Sequence, residues 1–205
     1  MNKVLASVVA ACFLGAPAQF LAMSNYDDPR VVLSYMDRSL AGARDILRLN
    51  TSVEGDTHLV FEIKTRAPEQ PPEAGDYVLL QLSQGRAVQL LVPIDPALGD
   101  AVLDYQRDLA PGGEAPGLAG SVLKPGSGRG VFTARRVPRG IEFLVPLAWV
   151  DFGEKISFDA FTVKGQPTPT TFQVEAVYDQ AGKGQKTRPR HSPITLLNKL
   201  CATRK

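Results

Sequence analysis

The side chains that do chemistry in enzymes are few in this chain, and their spacing is not typical of catalysis. The two histidines are His58 and His191, and neither lies near a Gly-x-Ser-x-Gly nucleophile elbow, so a Ser-His-Asp triad is not predicted. The carboxylate pair Asp27-Asp28 has no spacing that favours catalysis over solvation. No cysteine and histidine cluster has the spacing of a zinc site. We therefore predict a protein that is not an enzyme and that has no metal site.

Aromatic side chains are the better candidates for a binding role. The chain has five tyrosines and one tryptophan, and an aromatic face can stack on a sugar or on the side chain of a partner. No spacing selects a pair among them, and the tryptophan lies in an apolar run where packing in the core is the alternative. The candidate ligand-binding residues are Tyr35, Tyr77, Tyr105, Trp149 and Tyr178.

The N-terminus has the pattern of an export signal. Lys3 precedes an apolar run, and Ala16-Pro17-Ala18 places small residues where a signal peptidase cleaves, so residues 1–18 are predicted to be a signal peptide. The alternative is a lipoprotein in which Cys12 is acylated. No other segment reaches the roughly 18 uninterrupted apolar residues of a membrane span. We predict a periplasmic or secreted protein, in which Cys201 is either a small apolar residue of a terminal helix or the site of an intermolecular disulfide.

Charge divides the mature chain into an acidic body and a basic tail. Residues 19–182 hold 15 basic and 21 acidic residues, whereas residues 183–205 hold seven basic residues and no acidic one. Such a tail either folds back on the body or docks on an anionic membrane surface or another polyanion. No segment has the pattern of a nucleic-acid-binding module, so nucleic acid is not predicted as a partner.

Short alternating runs separated by turn residues predict the architecture. Sixteen prolines and eighteen glycines in 205 residues favour many turns over long helices. Residues 25–180 are predicted to form one antiparallel β-sandwich. A basic linker and a short basic helix over residues 194–202 follow within residues 181–205. The nine predicted strands lie at residues 31–36, 47–53, 58–64, 77–82, 87–92, 131–137, 141–147, 156–162 and 172–178.

Two segments resemble a known superfamily. "ARDILRLNTSVEGDTHLVFEIKTR" is similar to the opening hairpin of the family 9 carbohydrate-binding modules, and "IEFLVPLAWV" followed by "EKISFDAFTV" is similar to their late hairpin. The same superfamily includes the DOMON sandwiches and haem-binding cytochrome subunits of periplasmic molybdoenzymes. The resemblance implies a β-sandwich, with a function that varies across the group.

Two functions from different classes remain open. We favour a non-catalytic module at the cell envelope, without a cofactor, that recognises a glycan or a partner protein. The alternative is a haem b electron-transfer subunit of a periplasmic redox enzyme. The haem proteins of this superfamily use a methionine from an early strand and a histidine from a late segment, and the matching residues here are Met36 and His191.

Overall fold

The computed structural model describes residues 28–67, 71–107, 117–126, 131–183 and 190–197. These residues contain two 3₁₀-helical turns, Pro96–Leu98 and Leu147–Trp149, and one short helix, α1 (Pro193–Leu197). Their strands are β1 (Val31–Leu33), β2 (Ile46–Glu54), β3 (His58–Thr65), β4 (Asp76–Gln84), β5 (Arg86–Pro93), β6 (Leu103–Arg107), β7 (Val122–Pro125), β8 (Thr133–Val137), β9 (Gly140–Pro146), β10 (Ser157–Pro167) and β11 (Phe172–Gln180).

The strands form two sheets in which neighbouring strands are antiparallel. The first sheet has the order β1-β2-β3-β9-β8, and the second closes into a six-stranded barrel in the order β10-β11-β7-β6-β5-β4. The prediction of an all-β, antiparallel protein is confirmed. The sandwich is not confirmed, because the second sheet pairs its own edges through β7 and β11 instead of remaining open.

Two short strands account for the difference from the predicted architecture. Val102, Leu103 and Tyr105 have a spacing that suits one helical turn, but Leu103–Arg107 is strand β6, which pairs with β5. Val122–Pro125 is strand β7, within a region whose glycines and prolines are typical of a loop, and it joins β6 to β11. These two strands bring the described total to eleven, and they close the barrel.

The first sheet packs on one wall of the barrel, and the main core lies between them. Phe61 of β3 and Phe143 of β9 are fully buried against Leu80, Leu90 and other residues of the facing strands. The Phe61 ring lies 5.3 Å from that of Phe158 on β10, measured between centroids. The strand predicted over residues 141–147 is observed as β9, which lies between β3 and β8 and ends at Pro146, where a missing ladder hydrogen bond is tolerated. One face of β9 is buried, whereas the face that carries Glu142 and Leu144 is only half-buried.

A second core fills the barrel. Along β4, Tyr77 and Leu79 face the barrel interior, whereas Val78 and Leu80 face the first sheet, since side chains alternate along a strand. The strands of this wall are therefore buried on both faces, which explains their continuous apolar sequences. A six-stranded barrel is narrow, and its interior is filled by side chains rather than by a channel.

The chain ends are described only in part. The predicted signal peptide, Cys12 and Cys201 lie outside the described residues, as does the end of the helix predicted for residues 194–202. The described portion of that helix, α1, buries Leu196 in the main core while Ile194 is exposed. Lys183, the first basic residue of the tail, forms ion pairs with Asp45 and Asp179 of the body. No helix among the described residues is long and apolar enough to span a membrane.

Candidate functional site

A cleft opens where the first sheet meets the barrel wall. Its volume is about 550 Å³, and both sheets contribute to its walls. The turn between β8 and β9 forms one side, and the segment that follows β5 forms the other. We call it the inter-sheet cleft, and its described lining residues are Ala43, Thr65, Pro71, Pro72, Val78, Ile94, Pro96, Arg136, Val137, Arg139, Gly140 and Ile141.

The floor of the inter-sheet cleft is apolar and continuous with the main core. Val78 and Ile141 are 3% and 4% exposed, and Ile94 packs against the same core. Exposed or half-buried prolines, including Pro71 and Pro96, form part of its edge. Apolar surface at the end of a core gains about 25 cal/mol for each Å² that a ligand removes from water. The cleft is therefore suited to an apolar group.

Arg136 holds one wall of the cleft in place. Its guanidinium donates hydrogen bonds to the backbone carbonyls of Ile94 (3.0 Å), Pro93 (2.9 Å), Gly99 (3.2 Å) and Asp95 (3.3 Å). Its Nε lies 2.6 Å from a carboxylate oxygen of Asp100. These contacts tie the segment after β5 to strand β8. The Arg136 guanidinium is thus used to maintain the shape of the cleft.

Arg139 differs from Arg136 in its backbone and in its contacts. It follows Pro138 in the two-residue turn between Val137 and Gly140, with φ of 57°, the one positive φ of a non-glycine residue in the described chain. A turn with proline at its second position and positive φ at its third is of type II, and glycine is the usual residue there. Arg139 is exposed, and its backbone carbonyl accepts a hydrogen bond from the Thr65 amide (2.9 Å). No hydrogen bond or ion pair joins its side chain to the described residues. Its guanidinium is available to a ligand.

Close packing against β3 explains why the glycine lies at position 140 and not at the turn position with positive φ. A Cβ at this position would lie 2.3 Å from the carbonyl oxygen of Ile63 on the neighbouring strand β3. The glycine is therefore needed where the two strands approach closely. The strained turn position is left to Arg139.

A group of buried carboxylates lies beside the cleft and is fully engaged. Asp45, Asp76 and Asp179 are at most 5% exposed. Arg44 lies 2.8 Å from Asp76, and Lys183 lies 3.0 Å from Asp45 and 3.1 Å from Asp179. We call this group, which also includes Arg66 at 3.2 Å from Asp45, the carboxylate network. Buried charges are tolerated when they are paired in this way.

Tyr178, a predicted ligand-binding residue, lies in the carboxylate network. Its hydroxyl donates to Asp76 (3.0 Å), and the Arg44 guanidinium lies 4.2 Å from its ring centroid. Burial, followed by this hydrogen bond and the charge of Asp76, raises the pKa of Tyr178 to about 12. Burial also raises the pKa of Asp179, although Lys183 and backbone amides stabilise its carboxylate. The arrangement joins the starts of β2 and β4 to the end of β11.

The structure brings Tyr77 and Tyr105 together inside the barrel. Both rings contact Phe172, with centroid distances of 5.0 and 5.5 Å, and both tyrosines are almost fully buried. Burial raises the pKa of Tyr77. The contacts of these two rings are those of core residues. The sequence alone does not distinguish such a packing role from a role in ligand binding.

A polar belt crosses the barrel interior next to these aromatics. Asp159, Gln81, Gln89 and Tyr105 lie directly opposite one another on four successive strands. Gln180 donates to Asp159 at 2.5 Å. Gln89 is fully buried, and neither atom of its amide has a hydrogen-bond partner within the described part of the chain.

The other two aromatic candidates lie apart from this pair. Tyr35 is 82% exposed, in the loop after β1. Trp149 is half-buried, with its ring 5.4 Å from that of Phe132, and it lines a pocket of about 370 Å³ with Gln84, Arg86, Asp151 and Glu154.

The two residues of the haem hypothesis are found in different surroundings. Met36 is 52% exposed in the loop after β1. His191 forms an isolated bridge with Ile156, and its ring lies 6.0 Å from that of Phe158. Burial lowers the pKa of His191. Haem ligation by these residues remains a prediction. Among the described residues, no group of three or more His, Cys, Asp or Glu side chains is arranged to hold a metal ion.

Sequence reasoning missed Arg139 and the cleft that it lines. The turn Pro138-Arg139-Gly140 was recognised, but no pattern in the sequence shows that the arginine, rather than the following glycine, takes the positive φ. The sequence also does not show that residues from both sheets meet at this turn. The proline before Arg139 was the available signal, because proline at the second position of a turn favours positive φ at the third when the turn is of type II.

Comparisons with protein-family models, curated proteins and solved structures give no match to this chain. The similarity of its two segments to the carbohydrate-binding and DOMON superfamily therefore stays a prediction from sequence, and the functional conclusion depends on the site itself.

Proposed function

We propose that this protein is a non-catalytic, exported binding module of the cell envelope and that its ligand binds in the inter-sheet cleft. The observation that carries this proposal is the composition of the cleft. Its floor is apolar and continuous with the main core, and the only charged side chains among its described lining residues are Arg136 and Arg139. Such a site recognises an apolar body and orients it with a few polar groups.

The size of the cleft favours a small molecule. A cavity of about 550 Å³ lies within the range of roughly 300–1,000 Å³ that is usual for small-molecule sites. Its described lining contains no His, Cys, Ser, Lys, Asp or Glu, the side chains that most often act as nucleophile or general base. This composition supports binding rather than turnover.

The cellular location and the superfamily are parts of the same proposal. The signal-peptide pattern of residues 1–18 supports export, and intact mass of the mature protein tests it, with a chain that begins at residue 19 as the expected result. The relation to the carbohydrate-binding superfamily is supported by the first similar segment, which forms the β2–β3 hairpin. The second segment does not form the late hairpin that the resemblance implies, because its strands β9 and β10 lie in different sheets.

Filling the cleft tests the binding site. Ala43 lines the cleft and is half-buried, so Ala43→Phe places a ring in the space proposed for the ligand. The probe is N-phenyl-1-naphthylamine, a neutral apolar dye whose fluorescence rises on binding. We expect the parent protein to bind the dye and Ala43→Phe to lose at least tenfold in affinity.

The matched control adds the same ring elsewhere. Ala148 is exposed on the turn Leu147–Trp149 and does not line the cleft, so Ala148→Phe should bind the dye as the parent protein does. Equal binding by all three proteins, or no binding by the parent, would overturn the proposal.

A glycan is the second candidate ligand, and Trp149 is the observation that favours it. An aromatic ring beside Asp151, Glu154, Gln84 and Arg86 combines a stacking surface with hydrogen-bonding groups. Because Trp149 is the single tryptophan, intrinsic fluorescence reports on this pocket directly. Saturable quenching or a spectral shift with oligosaccharides, reduced in Glu154→Gln, would support a glycan site, and an unchanged spectrum would exclude the sugars tested.

A further inference from the structure

Arg139 lines an apolar cleft, while its charge is not used by the fold. It lies exposed at the edge of the inter-sheet cleft, and its guanidinium makes no hydrogen bond or ion pair to the described residues. Neighbouring Arg136 differs, since four backbone carbonyls and Asp100 hold its guanidinium. Among the described lining residues, Arg139 therefore offers a cation without a side-chain partner above an apolar floor.

The backbone at Arg139 adds an independent observation. Its φ of 57° is a left-handed conformation that strains a non-glycine residue, and glycine would adopt it without strain. Residues held in such conformations occur often at ligand sites. The turn itself therefore does not require an arginine at this position.

We infer that the inter-sheet cleft binds a single-chain amphiphile with a carboxylate head group, and that Arg139 is the residue that recognises the carboxylate. This inference rests on the proposed function and names its ligand class. The apolar chain lies on Val78, Ile94 and Ile141, and the head group pairs with the Arg139 guanidinium at the edge. No acidic residue lies among the described lining residues, so the charge of the cleft is complementary to an anion.

The size of the site selects a small amphiphile over an acidic protein surface. A cleft of about 550 Å³ accommodates a small molecule, whereas a stable protein interface buries on the order of 1,200–2,000 Å² in total. A guanidinium binds a carboxylate through two parallel N–H···O bonds, which a hydroxyl or an ammonium head group cannot reproduce.

Calorimetric titration with three matched ligands tests the head-group preference. The ligands are dodecanoate, dodecanol and dodecyltrimethylammonium, each below its micelle-forming concentration. We expect the parent protein to bind dodecanoate at least tenfold more tightly than dodecanol, and the cationic ligand most weakly. Dodecanol that binds as tightly as dodecanoate would overturn the inference while leaving the proposed function intact. Failure of all three ligands to bind would contradict the proposed function itself.

Arg139→Gly separates recognition from folding. The substitution removes the charge and the strain of the positive φ, so we expect the melting temperature to stay the same or rise. Dodecanoate affinity should fall about tenfold or more, and dodecanol affinity should be unchanged. Arg139→Lys keeps a positive charge and loses the two-pronged geometry, and should show a smaller loss.

Arg38→Gly is the control for net charge. Arg38 is exposed and does not line the cleft, so its loss should leave dodecanoate binding unchanged. Equal affinity of Arg139→Gly and the parent protein for dodecanoate would overturn the role of Arg139. Tighter binding of an apolar peptide with a free C-terminal carboxylate would overturn the choice of ligand class.

Discussion

The carboxylate network and the inter-sheet cleft lie next to each other and use charge in opposite ways. In the network, Asp45, Asp76 and Asp179 are buried, and each is paired with a cation. In the cleft, Arg139 is exposed without a partner among the described residues. A buried charge needs its partner for the protein to fold, whereas an exposed one does not. The difference separates charges that hold the structure together from the Arg139 charge, which we propose is used to bind a ligand.

Removing one carboxylate from the network should have the largest effect. Asp76→Ala removes a carboxylate whose side chain is 1% exposed and which both Arg44 and the hydroxyl of Tyr178 contact. Among the described residues, Arg44 then keeps only the exposed Glu73 as an ion-pair partner. Breaking a buried ion pair in this way costs about 3–5 kcal/mol of unfolding free energy. Urea denaturation measures the loss. Asp56→Ala, at an exposed turn position, is the control that should unfold almost as the parent does. Similar curves for both variants would show that the network does not stabilise the fold.

A substitution in the barrel interior should change stability less, and in the opposite direction. Gln89 is buried with both amide atoms unpartnered in the described part of the barrel, and such a group costs about 1–3 kcal/mol. Gln89→Leu should therefore stabilise the protein by about 1–2 kcal/mol in urea denaturation. Gln81→Leu, on the neighbouring strand of the same belt, is the comparison. A destabilised Gln89→Leu would show that the amide has a partner, such as a buried water molecule.

The exposed ion pairs of the first sheet should have the smallest effect. Arg135 lies between Glu54 and Glu142, and its hydrogen bond with Glu54 lowers the pKa of that carboxyl below its ordinary 4.5. A carboxyl group whose pKa is lower in the folded state stabilises the fold at pH values above its pKa in the unfolded state. This contribution is lost as the pH falls through the pKa of the folded state. Arg135→Ala should thus change stability little at pH 7, because exposed ion pairs contribute little. The difference between the variant and the parent should shrink further below pH 4.5. A melting series from pH 3 to pH 7 measures it, and a difference that grows in acid would contradict the assignment.

Most of the architecture could be predicted from the sequence because apolar alternation reports strands directly. The segments that became β2, β3, β4, β5 and β9 alternate or form apolar runs between clear turns. The closure of the barrel could not be predicted from the sequence, because it depends on β6 and β7. In β7 only Leu123 is buried, and four residues are too few for a pattern. In β6 the alternation of Leu103, Tyr105 and Arg107 was present, but it was also consistent with a helical turn.

The candidate site was harder to predict than the fold for a physical reason. Aromatic residues bind ligands and fill cores equally well, and the sequence does not say which face of a strand is enclosed. Tyr77 and Tyr105 proved to be barrel core, and Tyr178 part of the carboxylate network. The role proposed for Arg139 depends on a backbone angle, for which Pro138 was the one local signal. It also depends on residues of the other sheet, which the local sequence does not show.

Backbone amide shifts on titration with dodecanoate test the central claim most directly. The account predicts that the largest changes fall on Ala43, Ile94, Val137 and Ile141, which line the inter-sheet cleft, and that they saturate together. In Arg139→Gly the same amides should respond at about tenfold or higher dodecanoate concentrations. Changes centred on the barrel interior, at Leu91 and Tyr105, or the absence of any saturable change, would contradict it.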